Sequence, residues 1–239
     1  MSPFEVTFAL GSMVLYVVLL STMLRGWVRY YPFVFSYVVV NLLSTVVQGS
    51  FKHYFGPTSR EYARAYWLSD FLGTFLILMI IIHLIRKAME KHKWRDSVYW
   101  GLLMGVIATA AISLSFMHIR SWDLLLSKLM TQVGRDYYFS AVILNAVLWL
   151  MLVRTGHQNK QVYLLSSGLG LQLTGAAIAH ALRTASRFWL LANCFLVATY
   201  LLNLCIWYVA LKKFPATAPA GEEEPATAPQ EVEPTSLRN

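Results

Sequence analysis

The sequence predicts an all-α, polytopic membrane protein: a bundle of seven transmembrane helices with the N-terminus outside and the C-terminus in the cytoplasm. Of its 239 residues, 57% are hydrophobic and only 13% are charged, against roughly 25% charged residues in soluble domains. Apolar runs of roughly 20 residues recur along the chain, and a helix of that length crosses about 30 Å of hydrocarbon. Lipid is therefore the expected solvent for residues 1–213.

Seven spans follow one another in order. The first lacks the basic stretch of a secretory signal, so we expect a retained helix. Pro32 lies in the first turn of the second span, where proline is tolerated, and Gly56-Pro57 marks the loop that follows. The expected spans are Phe4–Met23, Tyr31–Phe51, Trp67–Ile85, Val98–Met117, Tyr137–Val153, Gln161–Leu182 and Phe188–Leu211.

Two segments lie outside these spans. Between the fourth and fifth, apolar residues from Trp122 to Val133 have helical spacing with polar residues between them, which predicts a helix at the interface or an extension of the fifth span. Residues 214–239 repeat Pro-Ala-Thr-Ala-Pro at positions 215 and 225, with glutamates between. We expect this cytoplasmic tail to be disordered because it has few large apolar residues.

The charge distribution predicts the orientation. With seven spans, twelve Lys and Arg residues fall on one side and eight on the other, and the richer side is expected in the cytoplasm. The bases cluster at helix ends, where they contact lipid headgroups, so nucleic acid is not an expected partner. The expected location is the cell membrane.

Polar side chains within the spans indicate where the bundle has its interior. In the second span, Tyr37, Asn41, Ser44, Thr45 and Gln48 share one helical face. Four residues fall near the bilayer midplane, where they either hydrogen-bond neighbouring helices or line a ligand cavity. They are Asn41, Asn145, Gln172 and Tyr200.

A second polar layer is expected nearer the outer surface. Asp70 is its most informative member, because it is the only carboxylate well inside an apolar run and a buried charge needs a partner. Arg183, Arg187 or His180 could reach it from the same side. The layer comprises Gln48, Asp70, Thr74, Tyr138, His180 and Asn193.

Small residues predict where helices approach closely. Gly101 and Gly105 form a G-x-x-x-G pattern in the fourth span, and Gly168 and Gly175 lie on one face of the sixth. We expect packing at all four glycines, with a homodimer face at Gly101 and Gly105 as the alternative.

The sequence implies no cofactor, and enzymatic signatures are absent. Two cysteines on one apolar run cannot bridge each other, and no metal-binding spacing occurs. His118 and His180 are the weak candidates for haem ligation, since both are expected near the outer surface.

The stretch from Tyr62 to Asp70, in which Tyr66-Trp67 is followed three residues later by an acid, resembles a group of uncharacterised bacterial seven-helix integral membrane proteins. The hydropathy is similar to theirs across residues 1–213. The resemblance implies a bacterial inner-membrane protein with seven helices, and it brings no activity with it.

These observations favour a non-enzymatic membrane protein that senses a small ligand or acts as a scaffold. Asp70 would be the charge anchor of its site, and a membrane or cytoplasmic protein partner would relay any signal. One alternative is a small-solute transporter that uses the midplane residues. Another is a redox subunit associated with haem or quinone.

Overall fold

The computed structural model describes residues 3–90, 92–115, 122–154, 160–183 and 189–214. They form seven α-helices and one turn of 3-10 helix at Trp27–Arg29, and this part of the chain contains no strand. The helices are α1 (Pro3–Leu24), α2 (Pro32–Phe55), α3 (Arg60–Ala88), α4 (Arg95–Ser115), α5 (Trp122–Arg154), α6 (Lys160–Arg183) and α7 (Trp189–Lys213).

Five of these helices are long and apolar enough to cross a membrane. Their apolar segments are Pro32–Phe55, Arg60–Ala88, Asp136–Arg154, Lys160–Ala179 and Leu191–Lys213. Within the described side chains, α1 contributes a shorter apolar stretch, Leu10–Leu24. The part of the chain that the structure describes is therefore all-helical, its five long apolar helices fit a multi-pass membrane protein, and the count of seven spans stays a prediction.

Helix ends differ from the expected spans because they depend on capping as well as hydropathy. α3 begins seven residues before the expected Trp67, at Arg60, and the Ser59 hydroxyl accepts a hydrogen bond from the Tyr62 amide at 3.1 Å. α2 ends at Phe55 and is followed by Gly56, whose φ of 84° suits glycine. The residues from Trp122 onward extend α5, which settles that alternative; the tail after residue 214 lies outside the described residues.

The helices form a ring in which α3 occupies a central place. Going around it, α1 packs on α2, α2 on α3, α3 on α5, α5 on α6, α6 on α7, and α7 returns to α1. α3 also reaches across to α6, and α4 lies outside the ring against α3 and α5. This arrangement places α3, which contains the most apolar of the five membrane-length segments, among four neighbours.

Among the described side chains, the bundle is packed tightly at one end and loosely at the other, which we call the open end. We call the tight end, where α1, α3, α5 and α7 finish, the basic end, because Lys and Arg residues cluster there. Near it, Tyr16, Leu19 and Met23 of α1 and nearly every residue from Ile77 to Ile85 of α3 are buried. Toward the opposite end, the first turns of α3 and the last turns of α2 are half-buried or exposed.

Specific contacts hold the basic end together. The His83 Nε2 lies 3.0 Å from the Tyr30 carbonyl oxygen, and the Lys87 ammonium lies 4.0 Å from the centre of the Tyr31 ring. Arg86 of α3 pairs with Asp96 of α4 at 3.1 Å. The hydrogen bond from Arg95 and the nearby Arg86 charge hold the pKa of the Asp96 carboxyl below its ordinary value.

The glycines behave differently on α6 and α4. A Cβ at Gly168 would collide with Asn203 and lie 3.1 Å from Trp207, and one at Gly175 would collide with Thr199. Glycine at both positions therefore allows α6 and α7 to approach closely. The described residues show no packing within the chain at Gly101 and Gly105. Both are exposed, with no described atom within 4 Å of their Cβ positions, because α4 presents its other face to α3 and α5.

Candidate functional site

A polar cleft of about 300 Å³ lies between α1, α2 and α7. α1 contacts both α2 and α7, and the cleft is lined by side chains of these three helices. Most of its lining side chains can hydrogen-bond, and none is ionised at neutral pH. The lining residues are Ser12, Tyr16, Asn41, Ser44, Thr45, Gln48, Val197, Tyr200 and Leu201.

The polar stripe of α2 forms one wall of this cleft. Asn41, Ser44, Thr45 and Gln48 are half-buried and line it, whereas Leu43 on the other face is 57% exposed. The Asn41 amide donates to the Tyr37 carbonyl oxygen at 2.8 Å, and the Thr45 hydroxyl donates to that of Asn41 at 2.9 Å. Within the described residues, Ser44 and Gln48 have no side-chain partner, so they remain available to a ligand.

Tyr200 places a hydroxyl without a partner beside the cleft. Its oxygen is buried, and no described residue hydrogen-bonds to it. The ring packs edge-on against Tyr16, with 6.2 Å between ring centres. A buried hydroxyl without a partner is costly in hydrocarbon, so this group marks a position where a bound ligand would gain a hydrogen bond.

A hydrogen-bonded network joins three helices next to the cleft. Gln172 of α6 donates from Nε2 to the Tyr37 hydroxyl of α2 at 2.9 Å and accepts at Oε1 from the Asn203 amide of α7. Tyr37 and Asn203 are both buried. The Tyr37 ring also contacts the Trp207 ring, 5.6 Å away between centres. Tyr37 precedes Asn41 by one helical turn, so the network forms the floor of the cleft.

A second, separate cleft of about 290 Å³ lies between α5 and α6. Asn145 and Trp149 of α5 and Ser167 and Thr174 of α6 provide its polar groups. The Asn145 Oδ1 accepts from the Ser166 hydroxyl at 3.3 Å. The four expected midplane residues therefore separate: Asn41 and Tyr200 line the first cleft, Gln172 lies in its floor, and Asn145 lies in the second.

The expected outer layer does not form one cluster among the described residues. Gln48 joins the first cleft, while the Tyr138 hydroxyl donates to the Leu173 carbonyl oxygen at 2.7 Å. Thr74 donates to the Asp70 carbonyl oxygen at 2.9 Å. Asn193 is half-buried and lines neither cleft.

Asp70 is not placed as a buried charge anchor. Its side chain is exposed on α3 and lines neither cleft. Its expected partners Arg183, Arg187 and His180 have side chains outside the described residues, as has the haem candidate His118. Among described residues, no three His, Cys, Asp or Glu side chains come together as metal ligands.

The contribution of α1 to the lining of the first cleft was not predicted from the sequence. Ser12 and Tyr16 line the first cleft and are four residues apart, so they share a helical face. That spacing is the signal that could have identified them. It was hidden because α1 is apolar over most of its length, where one Ser–Tyr pair carries little information.

The chemistry of the first cleft is that of a neutral binding site. Its hydroxyl and amide groups donate and accept hydrogen bonds, and no carboxylate, histidine or cysteine lines it. Comparison with known proteins adds no assignment, since no family model, curated protein or solved structure matches the chain.

Proposed function

We propose that this protein is a non-enzymatic membrane sensor that binds a small, uncharged, hydrogen-bonding molecule in the cleft between α1, α2 and α7. The buried Tyr200 hydroxyl, which has no partner among the described residues, is the observation that carries the proposal. A ligand that hydrogen-bonds it would replace a costly unsatisfied group with a satisfied one.

The composition of the cleft favours an uncharged ligand. Amides and hydroxyls line it, and no ionised side chain is available to neutralise an ion that leaves water. A volume of about 300 Å³ accommodates a molecule of the size of a small polyol, sugar or amide. Asp70 has no part in this binding site.

For the topology, we propose seven spans, the N-terminus outside and the tail in the cytoplasm of a bacterium. The basic end then faces the cytoplasm, as the excess of Lys and Arg favours. The open end of the bundle, where Gln48 lies, then faces outward. A ligand would enter from the outside, and a protein partner would relay its binding.

A transporter is the second candidate, and the floor of the cleft favours it. The Tyr37–Gln172–Asn203 network joins α2, α6 and α7 between the cleft and the tightly packed basic end. Opening this network would connect the cleft with the cytoplasmic side. For a sensor, the same network stays closed and transmits a change in helix packing.

Binding is tested by thermal unfolding of the purified chain with a panel of small polyols, sugars and amides. A compound at 100 times its Kd stabilises the protein by about 2.7 kcal/mol. We expect stabilisation of the wild type and of the lipid-face control Leu43→Ala, and none of Asn41→Leu. Stabilisation that survives Asn41→Leu would contradict the proposed site.

The two candidates separate in proteoliposomes that contain the stabilising compound on one side. A sensor binds it without flux. A transporter moves it, and Asn41→Ala or Gln172→Ala abolishes the movement while the protein stays folded. Flux of the compound through the wild-type protein would contradict the sensor proposal and support the transporter proposal.

A further inference from the structure

The cleft between α5 and α6 differs from the first in where it opens. α3 packs against both α5 and α6, and no residue of α3 lines this cleft. It therefore lies on the face of the helix pair that points away from the bundle, toward lipid. Val142 and Leu171 at its margins are each 37% exposed.

The floor of this groove presents hydrogen-bond donors to the hydrocarbon. The Asn145 carboxamide uses its oxygen to accept from Ser166, and its Nδ2 lies 3.0 Å from the position of a Cβ on Gly170. Within the described chain neither this nitrogen nor the Thr174 hydroxyl has a hydrogen-bond partner. Polar groups that face lipid without partners are unfavourable, so an occupant that accepts hydrogen bonds is expected.

Asn145 lies too deep in the membrane for its amide to hydrogen-bond the ester carbonyl groups of ordinary phospholipids. Asn145 lies nine residues from each end of the apolar segment Asp136–Arg154, or roughly 14 Å along the helix axis. Ester carbonyls lie at the headgroup boundary, at the edge of about 30 Å of hydrocarbon. Only acyl chains of phospholipids reach Asn145, and they accept no hydrogen bonds.

The spacing of the two hydrogen-bond donors and the Trp149 ring further restrict which ligand fits the groove. Thr174 follows Gly170 by one helical turn, so its hydroxyl lies roughly 6 Å along the groove from the Asn145 amide. Trp149 closes the groove near the basic end, with its ring 5.3 Å from that of Tyr163. We propose that this groove binds a lipid-soluble quinone-type ring, whose two carbonyl oxygens accept from Asn145 and Thr174 while the ring packs on Trp149.

Photolabelling tests this proposal. The full-length chain in lipid nanodiscs is irradiated with an azidobenzoquinone that carries a decyl tail, and labelled peptides are mapped by mass spectrometry. We expect labels concentrated in residues 142–149 and 167–174, and competed by excess decyl-benzoquinone. Uniform labelling of lipid-facing helices, or labelling that the competitor does not reduce, would overturn the proposal.

Variants make the test specific. Asn145→Leu removes the amide and should weaken labelling roughly 3- to 20-fold at sub-saturating probe, as expected for one hydrogen bond in a membrane. Gly170→Leu should fill the groove and abolish labelling; if it fails to fold, Thr174→Val supplies the second folded variant. Asn41→Leu, in the other cleft, is the control that should keep full labelling.

A second copy of the chain is the competing occupant. Leu171→Cys lies at the margin of the groove, so a dimer that covers it would form an intermolecular disulfide under oxidation. Efficient cross-linking, together with labelling unchanged by Asn145→Leu, would show that protein covers the groove and would overturn quinone binding.

Discussion

Two tyrosine hydroxyls beside the first cleft differ in one respect that decides their roles. The Tyr37 hydroxyl accepts from Gln172 at 2.9 Å, whereas the Tyr200 hydroxyl has no described partner although it is buried. The first belongs to the hydrogen-bonded network of Tyr37, Gln172 and Asn203. The second would gain a hydrogen bond from a ligand that reaches it.

Removing each hydroxyl should therefore have opposite effects on stability. Tyr37→Phe leaves Gln172 with an unpaired donor and should destabilise the protein by roughly 1 kcal/mol. Tyr200→Phe removes an unsatisfied group and should leave the ligand-free protein equally stable, or more stable by up to about 1 kcal/mol. Unfolding by titrated SDS in mixed micelles measures both. Equal losses in the two variants would contradict the assigned roles.

At the scale of single residues, periodicity predicted more than composition. The spacing of Asn41, Ser44, Thr45 and Gln48 indicates one face of α2, and that face lines the cleft. Asp70 was singled out because it is a carboxylate in an apolar run, but its depth in the bundle depends on how far the helix ends separate. That separation is a tertiary property, which the local sequence does not contain.

Two helices with similar glycine patterns differ at the scale of the element. Gly168 and Gly175 lie against side chains of α7, whereas Gly101 and Gly105 of α4 face outward. A G-x-x-x-G pattern shows that a helix can be approached closely, but it does not show which neighbour approaches.

Alanine substitutions should separate these two cases. Gly168→Ala should destabilise the protein by roughly 1–3 kcal/mol, because the new methyl group meets Asn203 and Trp207. Gly105→Ala, on the open face of α4, should be neutral or stabilising by up to about 1 kcal/mol through helix propensity. Both are measured by unfolding in mixed micelles. A cost at Gly105 like that at Gly168 would show that α4 is covered after all.

The stability of the turn between α3 and α4 should depend on pH. The pKa of Asp96 is lowered in the folded chain, with the hydrogen bond from Arg95 as its largest cause. The contribution of this pair is therefore present above the ordinary pKa of aspartate and is lost as the pH falls through the lowered value. Amide hydrogen exchange corrected for intrinsic rates should show weaker protection at residues 92–98 at low pH. No such change would arise in Asp96→Asn.

Helix identity was more predictable than helix ends. Each expected span corresponds to one helix of the structure, because long apolar runs determine where helices lie. The first turns of α3 are polar, and the first turns of α5 mix apolar with polar residues, so hydropathy alone placed both starts too late. Capping by Ser59 identifies the first of these starts.

For the whole molecule, the difference in packing between the two ends is the main feature. Buried side chains dominate near the basic end, and the polar cleft lies toward the open end. Under the proposed function, such a bundle would admit water and small solutes from the open end and resist them at the basic end. The ring order of the helices could not be predicted from hydropathy, since any order buries similar apolar surfaces.

The proposed orientation predicts that the two ends of the chain lie in different compartments. A phosphatase fused to the N-terminus and a fluorescent protein fused to the C-terminus should both be active, because the first works outside and the second in the cytoplasm. If a phosphatase fused to the N-terminus and a phosphatase fused to the C-terminus were both active, both termini would lie outside and the number of spans would be even. That result would remove the proposed outward opening of the cleft.

Labelling of single cysteines most directly tests whether the α1/α2/α7 cleft is a water-accessible binding site. In a Cys194→Ala, Cys205→Ala background, cysteines replace Ser44 or Gln48 on the cleft wall and Leu43 or Val47 on the lipid face. Because a maleimide reacts with the thiolate, which forms only where water reaches, a membrane-impermeant maleimide added from outside should label the first pair rapidly and the second pair very slowly. Equal labelling of both faces, or no labelling of the cleft wall in a folded protein, would contradict the account.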